Sequence, residues 1–436
     1  MKDLTKGKPS SLILSFAFPI FLANLLQLTY SLADTRIVGS FLGEDALAAV
    51  GSTSTVSNLI IGFLLGLANG FAIITAQRFG AKDIKGMRKS FAASILLGTG
   101  ISIVLTVLGM IFKNTLLGFL NVPHNLYGEA GAYIFIIIAG MTATVLYDSC
   151  AAVLRSLGDT ITPLIILLVS VALNITGDLF FVVVLKSGVR GAAIATVLAQ
   201  IIAFVICFVY MFKKYEILRL TKSDFTALDG NLVRNMLGSG LSMGFMSSLV
   251  NIGSLTLQTA INKLGQDIIV AHTAARKISE MFMIMFTVFG QTMATYCGQN
   301  MGAGRIDRVK TGIKSALIYT CSWCVLTVIA SYTIGDWLIY LVTGSNNENV
   351  IRNAVNYLKF DTVFYFVTAF ICILRNAMQG LGEHIIPLVS SSLEMVGKII
   401  IAATLVPWLG YAGVTPDFLC PRSFFRTMVL GLLFRF

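Results

Sequence analysis

Apolar runs near twenty residues long recur along almost the whole of this 436-residue chain, and no other feature restricts its fold so tightly. A hydrocarbon core of about 30 Å is crossed by roughly 20 apolar residues coiled as a helix. A backbone inside lipid has to satisfy its own hydrogen bonds, so runs of this length become helices. They fall at about 11–39, 46–77, 91–112, 129–154, 161–185 and 190–212. After a polar linker they resume at 235–262, 268–298, 312–343, 352–378 and 385–410, with a twelfth span expected to follow. The fold class is therefore an all-α polytopic membrane protein. Composition agrees: 56% of the residues are apolar and 12% charged, where a soluble domain carries about 25% charged.

The net charge of +11 does not point to nucleic acid. A nucleic-acid binder gathers Lys and Arg on a folded polar face, whereas here they sit in alternate connectors. The tail carries Lys2, Lys6 and Lys8; 78–90 carries Arg78, Lys82, Lys85, Arg88 and Lys89; the linker and the 299–314 connector are also basic. The intervening connectors hold few basic residues, so the basic set and the N-terminus are expected on the cytoplasmic side of the inner membrane. The apolar stretch after the tail, Ser11–Ala33, is too long for a cleaved secretory signal and reads as a retained first helix. Cys321 and Cys324 form a CxxC, but inside an apolar span and without a second pair they read as small helix residues.

The halves repeat. Leu42-Gly43-Glu44-Asp45 recurs as Leu264-Gly265-Gln266-Asp267, and Gln77, Gly80 and Ala81 recur as Gln299, Gly302 and Ala303. Leu157-Gly158-Asp159 followed by Pro163-Leu164 recurs as Leu381-Gly382-Glu383 followed by Pro387-Leu388. An even number of helices per half relates the lobes by an axis along the membrane normal, the parallel type of transporter repeat. The expected organisation is an N-terminal six-helix lobe at 1–212, a cytoplasmic linker at 213–234, and a C-terminal lobe at 235–436.

Charges inside a bilayer are costly, which makes each one a functional candidate. Asn174 and Asp178 lie one helical turn apart within Ile161–Leu185. A carboxylate beside an amide carbonyl is a hard oxygen set, suited to H⁺ or Na⁺. Asp34 supplies a second carboxylate and Thr196 a hydroxyl. The repeat-related positions in the second half are Thr256, Lys398 and Ala402, so the cation chemistry is expected in the N-terminal lobe alone. Asp148 and Glu280 are candidates for the substrate cleft, although Arg276 and Lys277 stand at pairing distance from Glu280 along the same helix. Pro19 removes a backbone bond in the first span and permits a gating kink. Arg375 is expected to snorkel, and Asp361 to lie near a helix end.

With Ala33-Asp34-Thr35, Leu47-Ala48-Ala49-Val50-Gly51, Ala76-Gln77-Arg78-Phe79-Gly80-Ala81, Leu154-Arg155-Ser156-Leu157-Gly158-Asp159, Gly191-Ala192-Ala193-Ile194-Ala195-Thr196, Tyr296-Cys297-Gly298-Gln299-Asn300 and Arg375-Asn376-Ala377-Met378-Gln379-Gly380, the chain resembles the bacterial multidrug and toxic compound extrusion (MATE) family. The resemblance implies two six-helix lobes and antiport of amphipathic, cationic organic compounds against H⁺ or Na⁺. It also implies a cation site at Asp34, Asn174, Asp178 and Thr196. Two departures stand out: Arg36 replaces an apolar residue, and Thr415–Ser423 holds Pro416, Asp417, Pro421 and Arg422 where a twelfth span should begin. This ending points to a frameshift or truncation. The implied protein is a monomer whose partners are small molecules and the lipid bilayer; it needs no cofactor beyond its coupling ion. A lipid-linked saccharide flippase would need basic residues for a pyrophosphate, whereas intramembrane charge here reads as mainly acidic. A membrane-embedded enzyme finds no support, since His124, His272 and His384 join no acid cluster.

Overall fold

The structure is a computed structural model that describes residues 2–414, apart from 120, 121, 123–125, 227 and 345–346. The atypical ending at 415–436 lies outside the described residues. The chain is helical throughout: α1 (Pro9–Leu42), α2 (Glu44–Gly80), α3 (Ile84–Ile111), α4 (Lys113–Phe119), α5 (Tyr127–Ser156), α6 (Ile161–Asp178) and α7 (Gly188–Lys214). They are followed by α8 (Lys222–Thr226), α9 (Gly230–Ile261), α10 (Gln266–Gly302), α11 (Ile306–Thr333), α12 (Gly335–Thr343), α13 (Glu348–Gly380), α14 (Ile385–Ile400) and α15 (Val406–Leu409). Among the described residues, ten helices are long and apolar enough to cross a membrane, counting α6 and α14 with the segments that extend them. The chain is thus a multi-pass membrane protein. Helix α10 covers the expected span 268–298 but carries Asp267, Arg276, Lys277 and Glu280 in its first half, and it is not among the ten.

Three local departures from the sequence reading have local causes. The basic stretch before residue 91 is already helical, because Asp83 caps α3 by accepting the Gly86 N–H at 2.8 Å. The expected span 312–343 divides at Ile334, where α12 starts with Asp336 in its first turn, a carboxylate placed well against a helix N-terminus. The linker is not wholly irregular either: Asp224 accepts from the Thr221 N–H and hydroxyl, both at 2.8 Å, and sets up the short α8. Burial raises the Asp224 pKa, but these two bonds, with Arg88 and Lys89 nearby, leave it below the usual value.

The repeat is visible in the backbone. Gly43 and Gly265 open α2 and α10 at φ 87° and 102°, and Gly158 and Gly382 follow α5 and α13 at φ 84° and 88°. These left-handed turns are open to glycine because it lacks a Cβ. Helices α6 and α14 both pass into a π-helical segment, Leu179–Val184 and Ile401–Leu405.

The chain divides into two compact units. The first comprises Met1–Leu4 and Phe18–Phe245, the second Thr5–Ala17 and Met246–Phe436. The expected division fell in the 213–234 linker; the observed one falls inside α9, and the start of α1 sorts with the second unit, beside Pro19. The core of the first unit joins Leu67 and Phe71 of α2 to Ile134 and Met141 of α5 and Met236 of α9. There α2 approaches α9 closely: a Cβ on Gly66 would lie 2.6 Å from the Met243 carbonyl, and one on Gly70 2.5 Å from that of Ser239. Such small-residue contacts are how membrane helices gain van der Waals contact without a hydrophobic driving force. The second unit packs Ala275 and Ile278 of α10 against Leu358 of α13 and Ile401. Outward faces are apolar: Leu198, Ile201, Ile202, Val205 and Val209 form an exposed stripe along α7, as a lipid-facing surface requires.

Candidate functional site

Helices α6 and α7 meet where both carry small residues. A Cβ on Gly177 would come within 3.0 Å of the Ala195 Cβ, so the neighbouring polar side chains Asn174, Asp178 and Thr196 are drawn into one place. Asp178 is fully buried and Asn174 nearly so. With its nitrogen facing an acceptor and its oxygen facing donors, the Asn174 amide donates to Asp178 Oδ2 at 3.0 Å and accepts from the Thr196 N–H at 3.2 Å. The Thr196 hydroxyl lies 3.2 Å from that same Asn174 oxygen and 3.1 Å from the Ala192 carbonyl, so its proton has two acceptors. The Tyr30 hydroxyl, 3.4 Å away, is then the donor to Thr196. From α1, the half-buried Asp34 carboxyl comes into hydrogen-bonding range of the Asp178 carboxyl. The four residues expected together are together.

Two oxygens of this group, Asp34 Oδ1 and Asp178 Oδ1, are shielded and have no hydrogen-bond partner among the described residues. Buried acceptors left unsatisfied cost about 1–3 kcal/mol each, more when charged. A proton or a hard cation relieves that cost, and both unsatisfied atoms are carboxylate oxygens, which suit either. Among the described residues, no group of three or more His, Cys, Asp or Glu could hold a metal ion. Tyr133 of α5 stands close enough to Asp34 and Asp178 to feel both charges, as does Tyr30. Sequence reasoning passed over both tyrosines because an aromatic residue in an apolar run carries no signal of its own.

The other candidates fare differently. Asp148 is half-buried, and its charge interacts with that of Arg155 two turns on along α5. Arg155 also donates to Asn69 at 3.2 Å. Glu280 is half-exposed and lies 3.9 Å from both Arg276 and Lys277 of its own helix. Neither joins the Asp34–Asp178 group. Pro19 lies within the continuous α1, and Arg36 is exposed. The described cysteines are free, with Cys150, Cys207, Cys297 and Cys324 buried.

Two expectations in the second unit are overturned. Arg375 does not snorkel: it is 7% exposed and bonds Glu394 at 3.1 Å and Ser390 at 3.2 Å. Asp361 is not near a helix end but midway along α13, where it accepts from Ser279 at 2.9 Å and Tyr365 at 3.0 Å. Lys398 bonds Glu394 at 3.0 Å and Ser254 at 3.3 Å. Intramembrane charge is therefore acidic at the first unit's site but net basic in this group of the second.

The matching family model is MatE, which covers residues 19–180 and 242–404 and so takes in both repeats. A probable multidrug resistance protein, YpnP of Bacillus subtilis (strain 168), is 28% identical over 417 residues, covering 94% of this chain and 92% of its own. The probable multidrug resistance protein NorM of Thermotoga maritima is 23% identical, covering 96% of this chain and 90% of its own. Among solved structures, the outward-facing conformation of a multidrug resistance MATE family transporter of the MOP superfamily superposes with a TM-score of 0.89. That likeness has 23% identity and covers all of this chain and 97% of the other. With the fold, the repeat and the family model in agreement, the chain belongs to the MatE family of membrane transporters and is not an enzyme.

Proposed function

We propose that this chain is a secondary antiporter that exports amphipathic organic cations, drugs and toxins among them, in exchange for H⁺ or Na⁺ by alternating access. It works as a monomer in the cytoplasmic membrane, with its N-terminus and basic connectors inside. The observation that carries the reading is the contact of the Asp34 and Asp178 carboxyls within the membrane-spanning helices, each with an oxygen that no neighbour satisfies. Loading that pair with H⁺ or Na⁺ changes local charge by one unit, and a cation that binds one conformation more tightly than the other shifts the equilibrium between them. Asn174 and Thr196 hold Asp178 in register from α6 and α7. Tyr30 and Tyr133 stand close enough to feel the charge of both carboxyls, and Pro19 gives α1 the freedom to bend as the pair loads.

The test is drug efflux in proteoliposomes of the full chain, driven first by an imposed pH gradient and then by a Na⁺ gradient. One gradient should drive transport and the other should not, which names the ion. Asp178→Asn should abolish the driven component while the protein remains folded and binds drug. Undiminished driven transport in that variant would remove the site from the mechanism.

A further inference from the structure

The first residues of the chain are held in place, whereas most termini are loose. Leu4 and Thr5 are both buried. The start of the tail lies against the α5–α6 turn of the first unit: a Cβ on Gly158 would come within 2.1 Å of the Lys2 carbonyl oxygen and 2.6 Å of the Lys2 nitrogen. Its second half belongs to the second unit. There Arg305 Nη1 donates to the Thr5 carbonyl at 3.1 Å, and Arg308 Nη1 donates to the Gly7 carbonyl at 2.9 Å. The border between the units falls at the Leu4–Thr5 bond, in the middle of the tail.

The two halves of the repeat build the corresponding connector differently. At the spacing that relates Gln77 to Gln299, Asp83 answers to Arg305 and Gly86 to Arg308. In the first half Asp83 caps α3 by accepting the Gly86 N–H, so the connector serves its own helix. In the second, Arg305 stands at the cap position of α11 and its side chain makes no capping bond. Two arginines at a helix N-terminus oppose its dipole, even with Asp307 in the same turn. What they supply instead is a pair of guanidinium donors for the tail carbonyls. Arg308 is also aimed from behind, since its Nε donates to Asn300 Oδ1 at 3.1 Å. A left-handed turn at Gly7, φ 91°, then carries the tail into α1.

We propose that residues 2–8 form a cytoplasmic strap, fastened to the α5–α6 turn by its first half and to the α10–α11 turn by its second, and that opening toward the cytoplasm requires one fastening to release. Lys2 and Thr5 are three residues apart, so the chain between the fastenings reaches at most about 11 Å. Alternating access moves one unit against the other, and so short a tether limits how far the two turns separate while both ends hold. The arginine end is the one that yields. The Arg308–Gly7 bond is exposed, so water competes for it, whereas Leu4 is sealed from solvent. The strap rests on the alternating-access reading above, but its residues stand apart from the Asp34–Asp178 pair.

The test uses the full chain in lipid nanodiscs, with spin labels attached through p-acetylphenylalanine at the exposed Ile161 of α6 and Lys314 of α11, which leaves the seven cysteines in place. Deleting residues 2–4 frees the first fastening, and Arg305→Gln with Arg308→Gln frees the second. Each should raise the ratio of long to short label separations by about threefold or more over the wild type. Arg78→Gln breaks the exposed ion pair with Asp83 in the other connector and should leave that ratio unchanged. Unmoved separations in both strap variants, or an equal shift in Arg78→Gln, overturn the proposal. Should neither strap variant fold, hydrogen exchange on the wild type decides it. Amides of residues 3–7 protected well beyond those of an unstructured peptide support the strap, and free exchange overturns it. The separations are read without drug or gradient, which keeps the two readings apart. Driven efflux with unmoved separations sinks the strap alone; shifted separations in a protein that drives no efflux sink the export reading alone.

Discussion

The two units build related helices around opposite electrostatics. In the first, Asp34 and Asp178 each keep a buried oxygen without a donor. In the second, Asp361 accepts from Ser279 and Tyr365, and Glu394 lies between Arg375 and Lys398. An acid short of donors is costly as it stands and takes up a cation readily; an acid already supplied with donors has little reason to change state. Unequal satisfaction of equivalent places is what lets one half of a repeat carry coupling chemistry while the other holds fixed charge.

The sharpest way to break this comparison is Asp178→Asn set beside Glu394→Gln. The first variant removes an unsatisfied buried carboxyl, so its unfolding temperature should hold or rise. Gradient-driven transport in proteoliposomes should fall by more than about tenfold, equivalent to about 1.4 kcal/mol or more. Glu394→Gln strands two cations, and breaking a buried charged group in this way costs about 3–5 kcal/mol. Its signature is a lower thermal midpoint in nanodiscs. If instead Asp178→Asn unfolds the protein and Glu394→Gln only slows transport, the roles assigned to the two units are reversed.

A weaker version of the same contrast is available inside the second unit. Asp361→Asn keeps the shape but loses the charge that strengthens its bonds from Ser279 and Tyr365. Hydrogen bonds to charged groups contribute about 1.5–3 kcal/mol each, and part of that should appear as a lower thermal midpoint. Transport should fall only in proportion to folded protein, measured by size-exclusion recovery. A loss of coupling beyond that would make Asp361 a participant rather than a support.

How much of this the sequence carries depends on the distance between the residues involved. The spans are legible because each is set by its own composition, and the repeat because left-handed turns at Gly43, Gly158, Gly265 and Gly382 hold those positions to glycine. Asn174 and Asp178 are legible as neighbours one turn apart, and Asp34 and Thr196 reach the same place through the family resemblance. Glu394 and Lys398 carry the same kind of signal, an i, i+4 charge pair inside an apolar run. Their link to Arg375 was out of reach, because a lone arginine near a helix end looks alike whether it snorkels or is buried by a neighbour. The break at Ile334 does leave a mark, Gly335-Asp336 inside the apolar run, whereas the two π-helical segments fall in apolar sequence with no breaker residue.

The mildest test compares the two repeat-related turns outside the membrane spans. Asp159, after α5, accepts the Thr162 N–H at 3.0 Å, the Thr162 hydroxyl at 2.7 Å and the Tyr215 hydroxyl. Its counterpart Glu383, after α13, accepts the Ile385 N–H at 3.3 Å, an exposed contact. Burial raises the Asp159 pKa, but the bonds from Tyr215 and Thr162, with Lys214 nearby, outweigh it and hold the carboxyl below its ordinary value. The same contact, added to burial, pushes the Tyr215 hydroxyl up to about 12. A depressed folded-state pKa contributes stability that is complete above the unfolded value, about 3.9, and is lost as pH falls through and below it. Asp159→Asn should therefore cost about 1 kcal/mol near neutral pH, and the difference from wild type should shrink in thermal melts taken below about pH 4. Glu383→Gln should change the midpoint by less. Equal losses for the two variants, independent of pH, would mean that the turns are held by their glycines alone and that the asymmetry between the units stops at the membrane.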